Sequence, residues 1–178
     1  MNVIVVVGSK HGSTCSIAEA VGDELRIGGL KVTIVRVESA AISLDGYDAA
    51  VVGSAVYVGR WVKDARTFLE ANRETLRKMP LWLFSSGPLG DVSEQPDELT
   101  DVRAFADDVH ARDHRVFAGK LDKADLSIAE RAAVRMVHAP YGDARDWSEI
   151  RSWAKTIAAE LADTVGSAAA PTSSTARA

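Results

Sequence analysis

The chain has one cysteine, Cys15, so it cannot close an internal disulfide, and a stapled extracellular mini-domain is excluded. Apolar runs are short as well. The run at the N-terminus, Val3-Ile4-Val5-Val6-Val7, is too brief for a signal-peptide core or a membrane span. Positive charge is not in excess: 21 Lys and Arg face 25 Asp and Glu, a formal net charge of −4, which gives neither a nucleic-acid footprint nor a polybasic membrane anchor. The four histidines, His11, His110, His114 and His138, are scattered, and no spacing to acidic or cysteine residues suits a metal. There is no pair of catalytic acids, no Ser-His-Asp set and no internal repeat, so no catalytic residue is assigned. What is present is 178 residues, 47% apolar and 26% charged, enough to bury a sizeable core as one domain, and a cytoplasmic location is the expectation.

The N-terminal apolar run leads through Gly8 into Ser9, Lys10, His11, Gly12, Ser13 and Thr14, and then into a helical pattern. A glycine-bearing hydroxyl loop between a buried strand and a helix is a phosphate site. The first N–H groups of a helix lack intrahelical partners and sit at the positive end of its dipole, and hydroxyls add donors at the same point. Spacing excludes several such loops. A Walker loop needs Lys-Ser/Thr after its last glycine, but Ser13 follows Gly12; a dinucleotide fingerprint needs three glycines, and only Gly8 and Gly12 are present. A thiol phosphatase needs an arginine where Val21 stands, and a receiver domain needs acids where Gly8-Ser9-Lys10 and Gly53-Ser54 stand. The pattern that remains is Ser-x-x-Gly-x-Thr.

Periodicity along the chain alternates strands with helices, which argues for a parallel sheet covered on both faces. Strands are expected over 2–7, 31–37, 49–53, 81–84 and 116–119. Helices are expected over 14–27, stopped by Gly28-Gly29, over 63–78, stopped by Pro80, around Leu99 to Val109, and from a cap near Ser148 to Leu161. Residues 1–165 read as the domain, and 166–178 as a disordered tail too poor in apolar residues to pack.

On the Ser-x-x-Gly-x-Thr loop the chain resembles the flavodoxin-like family, whose first loop wraps the phosphate of FMN. Within that family it is similar to the menaquinone-dependent protoporphyrinogen dehydrogenase branch. That likeness rests on the extension, about 120–146, that begins Val116-Phe117-Ala118-Gly119-Lys120-Leu121 and closes Gly142-Asp143-Ala144-Arg145-Asp146-Trp147. The resemblance implies an α/β fold, a flavodoxin-like doubly wound five-stranded parallel sheet of order 2-1-3-4-5 with helices on both faces. Its ligand crevice opens at the switch between strands one and three.

Three loops meet there. By resemblance Ser9, Lys10, His11, Gly12, Ser13 and Thr14 hold the FMN phosphate. A second loop with Ser54, Ala55, Val56, Tyr57, Gly59 and Trp61, and a third with Ser85, Ser86, Gly87 and Asp91, hold the isoalloxazine ring. Tyr57 is the preferred stacking residue, with Trp61 the other candidate. The third loop lacks the tyrosine that closes the other ring face in flavodoxins, so an open face is expected. Gly59 or Gly53 can permit a peptide flip, since glycine accepts positive φ. Lys10 and His11 either pair with the phosphate or are solvated, and Cys15 is read as a small packing residue.

In the extension, Leu126, Ala129, Ala133, Met136 and Val137 form an apolar stripe, read as packing on the sheet edge or a dimer interface, or as a docking surface for a membrane. Asp143, Arg145, Asp146 and Trp147 are either substrate contacts or an ion-paired turn that caps the last helix. The resemblance implies an FMN-dependent oxidoreductase that passes electrons from a reduced substrate, protoporphyrinogen IX in the relatives, to a quinone. The alternatives are an electron carrier between protein partners and a relative that has lost FMN or prefers another flavin. A small-molecule or quinone redox partner is expected. Peripheral contact at the inner membrane face and a homodimer stay open.

Overall fold

The first strand, β1 (Asn2–Gly8), buries every residue from Val3 to Gly8, more than a sheet with one wet face requires. Successive side chains point to opposite faces, and both faces are covered. Val3, Val5 and Val7 enter one core with Trp82 and Phe84, whereas Ile4 and Val6 enter another with Val52 and Leu83.

The computed structural model describes residues 1–38, 42–57, 59–87, 99–122 and 141–168. After β1 come α1 (Ser13–Ile27), β2 (Lys31–Arg36), β3 (Ala49–Tyr57), β4 (Arg60–Trp61), α2 (Lys63–Ala71), α3 (Arg73–Leu76) and β5 (Leu81–Gly87). The chain continues with α4 (Thr100–Asp108), β6 (Asp113–Ala118), β7 (Lys120–Leu121), β8 (Gly142–Asp143) and α5 (Trp147–Ala168). The main sheet runs β2-β1-β3-β5-β6, all parallel, which is the expected 2-1-3-4-5 once the short β4 is set aside. That β4 is a sixth strand, antiparallel to the end of β3, which the expectation of five strands omits.

Helices α1 and α5 cover one face through Ile17, Val21, Leu25, Ile150, Ile157 and Leu161. The other face is covered by α2 and α4 through Phe68, Leu69, Val102 and Phe105, with Leu76 of α3. Each such side chain, fully buried, contributes about 1.5–3 kcal/mol. Phe84, Phe117 and Trp153 pack on one another at centroid distances of 5.5 to 6.1 Å.

Local chemistry sets the helix ends. Gly29 (φ 86°) donates its N–H to Arg26 O at 2.9 Å while Leu30 N donates to Leu25 O at 3.1 Å, so the glycine pair closes α1 as expected. The single helix expected over 63–78 is broken at Asn72, whose Nδ2 donates to Phe68 O at 2.8 Å and competes with the backbone ladder. The cap expected near Ser148 is Asp146: its Oδ1 accepts the N–H groups of Ser148 (2.8 Å) and Glu149 (3.0 Å). The backbone of α5 runs to Ala168, into the stretch expected to be tail, because one glycine, Gly166, costs a helix only about 1 kcal/mol relative to alanine. Among the described residues no helix is long and apolar enough to cross a membrane. The stripe of Leu126, Ala129, Ala133, Met136 and Val137 lies outside the described residues.

Candidate functional site

Register aligns the carboxyl ends of the strands. Gly8 pairs with Ser54, Ser54 with Ser85, and Ser85 with Val116, so the loops after β1, β3 and β5 leave the sheet side by side. The chain turns from β1 to β2 on one side and to β3 on the other, which opens the crevice at this end.

The loop after β1 is folded by its own short bonds. Ser9 is buried, its Oγ accepts the N–H of Gly12 at 3.0 Å, and its carbonyl accepts a bond from Arg36 Nη2 at 3.2 Å. Gly12 then turns into the helix with φ 80°, a left-handed conformation that glycine adopts without steric cost. Ser16 N donates to Gly12 O at 3.2 Å, the first rung of α1. Among the described residues no side chain caps this helix and no acid stands in its first turn. The N–H groups of Ser13, Thr14 and Cys15 and the dipole behind them therefore act on the loop with no acid of that first turn competing. Cys15 packs half-buried against the first core.

At the end of β3, Tyr57 is 37% exposed and faces this loop. His11 meets its ring edge-on with centroids 6.2 Å apart, and Lys10 Nζ lies 5.7 Å from its centroid. These contacts bring the first expected loop to the tip of the second.

The rest of the second region differs from the expectation. Residues 54–57 are not loop; β3 continues through Tyr57 and turns at Gly59 (φ 69°) into β4, pairing Val56 with Trp61 and Tyr57 with Arg60. Trp61 is corrected as a stacking candidate. It is 2% exposed inside the second core, because it enters beside Phe68 and Leu83 and satisfies its indole N–H there. Ser54 is buried too: its Oγ donates to Ala55 O (2.9 Å) and accepts the N–H of Val62 (3.1 Å), which fastens the strand to the start of α2. Gly53 is a packing glycine, since a Cβ there would stand 2.0 Å from Phe84 Cζ. Ala55 is buried and Val56 half-buried.

The third region likewise begins later than expected, because β5 runs through Gly87 and buries Ser85 and Ser86. Asp91 lies outside the described residues. Ser85 Oγ is a hub: Trp61 Nε1 donates to it at 2.8 Å, and His114 Nε2 lies 2.8 Å away. Burial, with Arg103 adding to it and Asp113 opposing, pushes His114 down to about 4, so the ring is neutral near pH 7. Indole can only donate, so the Ser85 hydroxyl accepts from Trp61, and it shares one further proton with His114 Nε2. Sequence reasoning missed this histidine. The signal was its alternation in β6, where Phe117 faces one core and Val116 the other, so His114 shares Val116's side.

The ends of the extension return to the same place. Lys120 and Leu121 pair antiparallel with Asp143 and Gly142. Gly119 packs so tightly that a Cβ would stand 2.5 Å from Gly87 O. Lys120 N donates to Ser13 Oγ at 3.2 Å, and Arg145 Nη1 donates to Ser13 O at 3.3 Å. Arg145 also grips Asp143 through Nε (2.8 Å) and Nη2 (2.6 Å) and lies 4.5 Å from the Trp147 ring centroid. Those hydrogen bonds hold the Asp143 carboxyl below its usual range. The turn is thus ion-paired, and Asp146 does cap the last helix.

Among the described residues no group of three His, Cys, Asp or Glu side chains is placed to hold a metal. A groove of about 430 Å³ lies between β6 and α5, lined by Asp113, Arg115, Glu149 and Trp153 among others, and none of its lining residues belongs to the three loops.

The family described as Flavodoxin domain matches residues 4–148. Among solved structures, a flavodoxin from the domain Archaea is similar with a TM-score of 0.60 at 18% identity, over 91% of this chain and 99% of that one. A rubredoxin:oxygen oxidoreductase from Desulfovibrio gigas has a TM-score of 0.64 at 16% identity, over 92% of this chain but 37% of that one. A short-chain flavodoxin associated with a non-canonical PDU bacterial microcompartment has a TM-score of 0.59 at 16% identity, over 92% and 98%. No curated protein matches the chain.

Proposed function

The chain belongs to the flavodoxin-domain family, and from that premise we propose that it binds FMN at the carboxyl ends of β1, β3 and β5 and serves FMN-based electron transfer. The observation that carries this reading is the uncapped start of α1, with Gly12 at positive φ and a first turn free of acids. An anion fits there on three counts: helix N–H groups that no side chain among the described residues caps, the dipole, and hydroxyls able to donate. Ser9 Oγ already accepts the Gly12 N–H and Ser13 Oγ the Lys120 N–H, so each has its own proton available for a phosphate oxygen. Thr14, also buried at this point, adds a third hydroxyl.

FMN supplies the redox chemistry when bound, and the protein supplies placement and electrostatics. Backbone groups at the ends of β3 and β5 supply hydrogen-bonding partners for a ring, and the half-exposed Tyr57 supplies an aromatic face. Titration of the purified protein with FMN and with riboflavin tests the reading. Tighter binding of FMN is expected, and equal or absent binding of both would overturn it.

The finer reading is an oxidoreductase that passes electrons from a reduced substrate to a quinone-type acceptor, with protoporphyrinogen IX as the substrate implied by the branch the chain resembles. It is supported by the way the two ends of the extension that carries that resemblance meet on Ser13, beside the phosphate loop. FMN-loaded protein, reduced anaerobically, should be reoxidised by a menaquinone analogue. Failure there, with rapid reoxidation by a small redox protein, would favour a carrier.

A further inference from the structure

We propose that Arg145, held by Asp143, is a positioning residue for the phosphate of the bound flavin and acts through Ser13; this rests on the FMN reading above. All three bonding directions of the guanidinium are committed. Nε and Nη2 close a two-point pair with Asp143, Nη1 reaches the Ser13 carbonyl, and the plane lies against Trp147. Its side chain is 8% exposed and that of Asp143 41%, so the guanidinium is built into the turn while its carboxylate partner meets solvent.

The cation and its carboxylate cancel, so the pair adds little net charge at the loop. Its effect is geometric. Arg145 fixes the main chain of Ser13, and the neighbouring Lys120 N–H fills an acceptor site of Ser13 Oγ. A hydroxyl fixed in position with its acceptor side occupied donates outward, toward the open start of α1. Without the clamp, phosphate binding would have to order Ser13 first, and that ordering weakens affinity. Asp143 sits in β8 and Lys120 in β7, so the same two-stranded ribbon delivers both contacts.

The test compares FMN with riboflavin, which lacks the phosphate, for four proteins: wild type, Arg145→Ala, Asp143→Asn and Ser13→Ala. Arg145→Ala should weaken FMN about tenfold, as expected for loss of one hydrogen bond to a charged group, and leave riboflavin unchanged. Asp143→Asn, which keeps the buried guanidinium, should lose less in the same direction, and this covers an Arg145→Ala protein that fails to fold. Combining Arg145→Ala with Ser13→Ala should cost no more than the larger single loss, because both act at one hydroxyl. Equal weakening of FMN and riboflavin in Arg145→Ala and Asp143→Asn would show a merely structural turn and overturn the proposal, as would additive losses. Wild type that fails to prefer FMN would overturn the phosphate-site reading itself.

Discussion

Trp61 and His114 meet on one atom, Ser85 Oγ, each at 2.8 Å, although they come from opposite ends of the chain's middle third. The three side chains form a buried polar link directly beneath the strand ends that carry the candidate site, joining the β4 hairpin to β5 and β6.

Ser85→Ala should therefore leave an indole N–H and an imidazole nitrogen without their shared partner. The expected loss of stability is about 1–3 kcal/mol, read as a lower urea midpoint with an unchanged slope.

Acid should act through His114. Its folded-state value, about 4, lies below its ordinary 6.5, so the unfolded chain binds more protons between those values. The contribution of neutral His114 to stability is complete above about pH 6.5 and is lost as pH falls toward and through 4. Thermal melts from pH 7 to pH 4 should show the decline, and His114→Gln should flatten it over that interval.

Gly12→Val should weaken FMN binding and cost about 1–2 kcal/mol of stability. Among the described residues nothing lies within 4 Å of the new Cβ, so the cost comes from the backbone at φ 80°. Thr14→Ala should weaken FMN with less effect on folding. Unchanged FMN retention in both would remove the first loop from the site.

Tyr57→Ala should raise the fluorescence of bound flavin by removing a stacking quencher, with a small change in melting temperature because the ring is half-exposed. An unaltered emission spectrum would leave the ring without an aromatic partner among the described residues of this region, since Trp61 is buried.

The parts of the fold legible in the sequence are those set by local rules. The β1 run, the Gly28-Gly29 stop and the Ser-x-x-Gly-x-Thr loop each depend on neighbours close in sequence, and each stands where it was expected. What escaped depends on partners far along the chain. Trp61 looked like a surface aromatic because residues 54–61 read as loop; only pairing with β3 and a hydroxyl 24 positions away carry it inside. His114 looked isolated because its partner lies 29 positions off. The grip of Arg145 on Ser13 spans 132 positions, and no periodicity in the sequence reports such a bond.

The pairing of Leu121 with Gly142 holds together two points of the chain that lie 21 positions apart in sequence. A stretch of sequence with its two ends joined in this way is modular. Its length and composition can change, by insertion, deletion or exchange with another chain's segment, while the doorway residues keep their hold on α1. The fold can thus acquire a new specificity there without rebuilding the sheet.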